Sequence, residues 1–190
     1  TLWAYGSVYT AGFVFEETRS AVYPSRPLTS LTWQIVDSPL GSHLLNLSLH
    51  FLLAALVMRL AVGVGVTGLG IWAVGVIWLL HPLNVEAAAY AASRGELLSA
   101  IGIVGACILA ASRMTRWSWI GLVLCLAVAM GSKESGVVGL LLVPLVMATR
   151  APQQAGICAL AGMSLLTMGV WAYGGVLAVV NAGGTDFAPA

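Results

Sequence analysis

Long apolar runs divided by short polar clusters give this chain its pattern. From Ser42 an apolar stretch of helical period runs to about Val62. Gly63-Val64-Gly65-Val66-Thr67-Gly68 reads as a turn, and a second apolar helix follows to Leu80. Pro82 suits the first turn of a helix, where its missing N–H costs nothing. It opens an Ala-rich helix over Leu83–Ser93 that lies at the membrane interface or dips into it. The next span is expected to start near Gly95–Glu96 and end at Ser112, followed by a short loop at Arg113–Arg116. Further spans are expected at Trp117–Met130, Lys133–Ala148 and Ala155–Val180. The first two of these are short for a bilayer core of about 30 Å, so local thinning or neighbouring protein must cover the mismatch. Ahead of Ser42 the chain mixes aromatics and charges with Pro24, Pro27 and Pro39, which predicts a loop with a short helix near Leu28–Ile35. The pattern therefore predicts an all-α, polytopic transmembrane helical bundle of about six spans plus an interfacial helix. Its parts are a loop segment at 1–41, the bundle at 42–182 and a tail at 183–190.

Composition supports the membrane assignment. Apolar residues make up 59% and mean hydropathy is +0.95, well above a soluble domain. Ala151–Thr185 holds no Asp, Glu, Lys or Arg, and Leu60–Val85 has only His81 as an ionisable group. A formal net charge of +1 leaves no basic patch for nucleic acid. Cys107, Cys125 and Cys158 sit singly in apolar stretches, without the paired spacings of zinc or redox sites, and read as packing residues. The first residues lack the basic-then-apolar layout of a cleavable signal, and a segment upstream of Thr1 is expected.

Charge changes the picture by sorting. The expected spans put Arg59, Arg113, Arg116 and Arg150 on one side with no acid among them. Arg19, Arg26, Arg94, Lys133 and all 7 carboxylates fall on the other. Setting aside Arg19 and Arg26 in the longer first loop, the cation balance makes the arginine-only side cytoplasmic. The polar clusters then face the periplasm, or an equivalent lumen, from a bacterial inner membrane.

Ionisable groups at membrane depth cost roughly 2.5–3.5 kcal/mol each on insertion scales and are kept mostly where they work, so the clusters are where chemistry is expected. His43, Asn46 and His50 stay within about 60° of one another on the first spanning helix and form one polar stripe. The stripe serves either interhelical hydrogen bonds or the wall of a watery cavity. A metal is not expected, since histidines seven residues apart lie roughly 10 Å apart along the axis and zincin-type ligands need a spacing of four. Glu86, Tyr90 and Arg94 follow at i, i+4 and i+8, an ionic face that either complements the helix dipole or serves function. Lys133-Glu134 is expected to open a helix with Ser132 as N-cap. A cation there opposes the dipole, and a bound anion would remove the conflict. The Gly63–Gly68 match to a dinucleotide fingerprint lacks the strand it requires. Asn46-Leu47-Ser48 matches a glycosylation sequon inside a membrane helix, beyond reach of the modifying enzyme.

Arg26-Pro27-Leu28-Thr29, His43-Leu44-Leu45-Asn46-Leu47-Ser48-Leu49-His50, His81-Pro82-Leu83-Asn84-Val85-Glu86-Ala87, Ser93-Arg94-Gly95-Glu96-Leu97-Leu98 and Ser132-Lys133-Glu134-Ser135-Gly136 occur in this order. Over about residues 22–145 this succession resembles the membrane half of the transmembrane-and-tetratricopeptide-repeat O-mannosyltransferases and their bacterial relatives, a branch of the GT-C glycosyltransferases. The resemblance implies a GT-C-like fold and an enzyme that uses a polyprenyl-phosphate-linked sugar as donor on the extracytoplasmic side, with no firm cofactor. It implies that Arg26, Arg94 and Lys133 hold the lipid phosphate, and that Glu86 and His81 line the same cavity. His43, Asn46, His50, Tyr90 and Glu134 are further candidates for its walls. Arginine suits a phosphate by its fork geometry and lysine as a point charge. Transfer also needs a carboxylate base. The family's acidic motif belongs to the first extracytoplasmic loop, where this chain offers Glu16, Glu17 and Asp37, with Glu86 further along.

Two other functions compete. A non-catalytic subunit that inherited the fold would pack against other membrane subunits, with its cavity filled or covered. A transporter would want inverted repeats, and the sequence has none. Membrane lipid is an expected partner under every reading, and a protein acceptor under the first.

Overall fold

A computed structural model describes residues 26–36, 38–149 and 154–164. All the elements in these segments are helical. Pro27–Ile35 forms α1, short and amphipathic, with Pro27 in its first turn. Pro39–Gly63 forms α2, whose 25 residues reach about 37 Å. It begins three residues before the expected Ser42. Ser38 is its N-cap and accepts a hydrogen bond from the Gly41 N–H at 3.1 Å, and Pro39 follows at the start. The glycine-rich stretch is the expected turn: Gly65 and Gly68 have φ of 99° and 58°, a region that side-chain-bearing residues rarely adopt.

Leu69–Leu80 forms α3 and Pro82–Ala89 forms α4, with a bend of 57° between them. Pro82 has no N–H to continue the helix, and His81 is extended at the break. The Ala-rich helix stops at Ala89, short of the expected Ser93. Tyr90 is extended, Ala91–Ser93 make a 3-10 turn, and Arg94–Ala110 form α5. Arg116–Ser132 form α6, capped by Thr115, whose side chain accepts from the Ser118 N–H at 3.2 Å. A 3-10 segment, Glu134–Val138, leads into α7, Gly139–Ala148, and residues 154–164 form α8.

Six spans were expected; among the described residues two helical stretches, Pro39–Gly63 and Ala91–Ala110, are long and apolar enough to cross a membrane. The bent pair α3–α4 makes a third if it counts as one span. Arg116–Ser132 and Glu134–Ala148 are apolar but shorter, and only the first part of the expected Ala155–Val180 span falls within the described residues. The tail at 183–190 and the loop before Arg26 lie outside them.

The core explains why α5 is central. Ala106, Cys107, Ala110, Leu122, Val143, Met147 and Ala155 are buried together, and Cys125 and Cys158 pack against them as free thiols. Lipid tails are as apolar as leucine, so helix association in a membrane rests on close approach of small residues. Gly102 shows this: a Cβ there would lie 2.5 Å from the Cys125 carbonyl oxygen and 2.7 Å from the Ala129 nitrogen. Gly136 is tighter still, with Ala129 backbone 2.3 Å from the position a Cβ would take.

The described charges fall at two ends of the bundle. Contacts among Arg26, Thr29, Gly95, Glu96, Ser132, Lys133 and Glu134 gather α1 with the start of α5 and the end of α6. Arg59 near the end of α2 and Arg113 and Arg116 beyond the end of α5 lie at the opposite end. Arg19 and Arg150 lie outside the described residues.

Replacing Gly102 by valine forces α5 and α6 apart and is expected to lower stability by about 1–3 kcal/mol, the usual cost of overpacking. Gly156→Ala, which meets nothing within 4 Å, should stay within about 0.5 kcal/mol of the parent. Unfolding midpoints of the detergent-solubilised protein check both.

Candidate functional site

The start of α5 lies against two other elements. Asn46 on α2, fully buried, donates from Nδ2 to the Tyr90 carbonyl at 3.0 Å and to the Ala91 carbonyl at 3.4 Å. These bonds fix the amide, so Oδ1 faces the Arg94 guanidinium and accepts from its Nε at 3.1 Å. Arg94 is 0% exposed. Its guanidinium carbon lies 4.4 Å from the centre of the Trp33 ring on α1, a stacking that suits a weakly hydrated planar cation. Among the described residues, both terminal nitrogens of Arg94 have no hydrogen-bond partner.

Arg94 is also the first residue of α5, where the helix dipole already carries positive character. A buried charge at the positive end of a helix is doubly unfavourable without an anion. The geometry can therefore hold an anionic group through two guanidinium N–H donors, in the fork arrangement that matches a phosphate.

Around this group the rim is closed by ion pairs. Arg26 reaches Glu134 through Nε at 2.9 and 3.0 Å and through Nη2 at 2.8 Å. Lys133 pairs with Glu96. Thr29 donates to the Ser132 carbonyl at 2.7 Å, and Gly95 lets both atoms approach, since a Cβ would lie 3.0 Å from each. Arg26, Arg94 and Lys133 lie at one end of the bundle, and two of the three cations have carboxylate partners.

Two expectations need correction. Ser132 does not cap a new helix: it is the last residue of α6, and its hydroxyl donates back to the Val128 carbonyl at 2.7 Å. Lys133 is both the C-cap of α6, where a cation suits the dipole, and the N-cap of the Glu134–Val138 segment, where it does not. Arg94 meets the same conflict at the head of α5, and does so buried. Nor do Glu86, Tyr90 and Arg94 share a helix face, because α4 ends at Ala89 and Arg94 opens α5. Glu86 and His81 are exposed and Tyr90 half-buried.

The stripe on α2 is buried as expected. His43 and His50 are at most 3% exposed, with Ser42 beside them and Ser99 buried on α5. Among the described residues, both ring nitrogens of His43 and the hydroxyls of Ser42 and Ser99 have no hydrogen-bond partner. Glu16, Glu17 and Asp37 lie outside the described residues. Trp33 and Thr29 were not anticipated. Their i, i+4 spacing on a short helix after Pro27 is the signal that marks one face of α1 as docked.

Compared with known proteins, the chain is 27% identical to Protein O-mannosyl-transferase Tmtc1 of Drosophila melanogaster over 176 aligned residues, 73% of the chain. The aligned part spans 20% of that protein's length. This supports a distant relationship to the O-mannosyltransferase group named for the transmembrane and tetratricopeptide-repeat architecture. No family model and no solved structure matches.

Asn46→Leu leaves the buried guanidinium with the Trp33 ring alone and should destabilise by about 1–3 kcal/mol. Arg94→Met removes the uncompensated charge and should leave stability unchanged or raise it, as replacement of buried ions by apolar groups often does. Thermal or denaturant unfolding of the two variants tests the predicted order.

Proposed function

We propose that this chain is part of a glycosyltransferase-like membrane protein whose Arg94 end receives the phosphate of a polyprenyl-phosphate-linked sugar. The observation that carries the reading is the Arg94 guanidinium at the head of α5, wholly buried and with both terminal nitrogens unpartnered among the described residues. The distant likeness to a protein O-mannosyl-transferase supports the class of reaction. The sorting of charges supports an extracytoplasmic placement of this end, with the arginine-only end cytoplasmic.

In the proposed reaction the bond between the sugar's anomeric carbon and the phosphate oxygen breaks, and a bond from that carbon to the acceptor hydroxyl oxygen forms. The acceptor's proton goes to a carboxylate, for which Glu16, Glu17, Asp37 and Glu86 are the candidates. The polyprenyl phosphate leaves with added negative charge, which Arg94 stabilises through hydrogen bonds that strengthen as charge develops. Arg26 and Lys133 take part by exchanging Glu134 and Glu96 for the ligand; exposed pairs of this kind are worth about 1 kcal/mol or less, so the exchange is cheap.

The same ion pairs favour a second reading, a non-catalytic subunit whose rim is permanently self-neutralised. The two part company on ligand binding. The purified protein in nanodiscs should bind polyprenyl monophosphate, and Arg94→Gln should weaken that binding about tenfold or more, the worth of a charge-assisted hydrogen bond. Arg113→Gln, at the opposite end, is the control. Equal affinity of the parent and Arg94→Gln proteins would rule out the phosphate assignment, and absence of binding by either would favour the subunit.

A further inference from the structure

At the end of the bundle away from Arg94, α2 and α5 part to leave a cavity of about 220 Å3 lined by Arg59, Leu60, Gly63, Ile108, Ala111 and Ser112. The opening exists because Gly63 and Ala111 carry almost no side chain where the two helices end. Arg59 sits one turn before the end of α2 and is exposed. Arg113 is the next residue after Ser112, and Arg116 opens α6. The described carboxylates, Glu86, Glu96 and Glu134, belong to α4 and to the elements of the Arg94 end, so no described acid neutralises these three arginines.

The depth of this cleft is set by its neighbours. Trp117 is 70% exposed with the Arg116 guanidinium 5.7 Å from its ring centre. A tryptophan with a basic partner at a helix end belongs at the boundary between hydrocarbon and headgroups. Val62 and Val64, 45% and 68% exposed, adjoin Gly63 along the chain and add apolar surface at this end of α2. A basic recess between two spanning helices, with exposed valines beside it in sequence and a tryptophan of interfacial character at the same end, matches one chemistry. We propose that the α2–α5 cleft binds the headgroup of an anionic phospholipid, with Arg59 on its phosphate, Arg113 and Arg116 adding to the field, and the acyl chains lying along the exposed apolar flank.

A soluble phosphate offers the same anion without the chains, and the apolar flank is what commits the cleft to a lipid. The site is separate from the Arg94 end, so it stands or falls independently of the glycosyltransferase reading.

Native mass spectrometry of the purified protein, released from micelles holding equal amounts of phosphatidylglycerol and phosphatidylcholine, tests the proposal. A phosphatidylglycerol adduct should dominate, and Arg59→Gln should reduce it about fivefold or more by removing the charge that meets the phosphate. Ala111→Trp keeps every charge but fills the recess, and should reduce the adduct similarly. Equal retention of the two lipids, or full retention of the adduct in either variant, overturns the proposal. Displacement of the lipid by inorganic phosphate at the same concentration overturns the lipid assignment in favour of a soluble anion.

Discussion

A guanidinium taken out of water loses hydration worth several kcal/mol, and only polar contacts or an anion can replace it. Arg94 donates one hydrogen bond, to Asn46 Oδ1, and lies over one ring face, that of Trp33. Both supports come from other elements, so the charge ties three helices together. Asn46 brings α2 against the Tyr90–Ala91 segment, which fixes where α5 begins. Trp33 brings α1 over the end of the bundle, and Thr29 on the same face closes on the last residue of α6. The arrangement of this end therefore follows from how one cation is accommodated, and among the described residues its two outer nitrogens meet no acceptor.

The precision of that end rests on packing further down. In lipid there is no water to expel between helices, and contact depends on how closely backbones approach. On α5 the small residues Gly95, Ser99, Gly102, Ala106 and Ala110 recur at helical spacing and are all buried. They let α6 lie against α5 with Cys125 and Ala129 backbone where a side chain would otherwise stand. Because α5 and α6 are joined by a short loop, this contact sets the register that brings Ser132 and Lys133 beside Gly95 and Glu96. The stripe and the ion pairs are thus one construction: the first fixes the distance that the second uses.

Much of this was legible in the sequence, and the failures have physical causes. Apolar runs and Pro82 located the helices because they bear on the backbone locally. The polar stripe His43, Asn46, His50 was legible because periodicity alone assigns a face, and that face is buried. The start of α2 was missed by three residues because Ser38-Pro39, a capping pair, was taken as loop. Ser132 is not the cap that Gly131-Ser132 suggests, because Gly131 continues α6 and the Ser132 hydroxyl donates to the Val128 carbonyl, so that Lys133 itself caps the next helical segment. The Glu86–Arg94 face failed for the opposite reason: nothing between them is a glycine or proline, yet Asn46 draws the Tyr90 and Ala91 carbonyls out of the helix. A tertiary hydrogen bond from residues far away in the sequence cannot be read from local propensity.

The two ends of the bundle differ in how their charges are balanced, and this difference bears on function. At the Arg94 end, acids and bases are matched at the rim and one cation is left bare beneath them. At the Arg59 end, the described arginines have no acid at all and face outward. Exposed cations need no partner, because water and headgroups screen them at little cost. A buried one is under no such relief, and the two carboxylates described at this rim, Glu96 and Glu134, are paired with other cations. Glu96 and Glu134 hold Lys133 and Arg26 at the rim, and in the proposed function the acceptor that Arg94 meets is the phosphate of the donor. The proposed phosphate role would account for a buried charge whose cost no described acid offsets, since ionisable groups at membrane depth are kept mostly where they work.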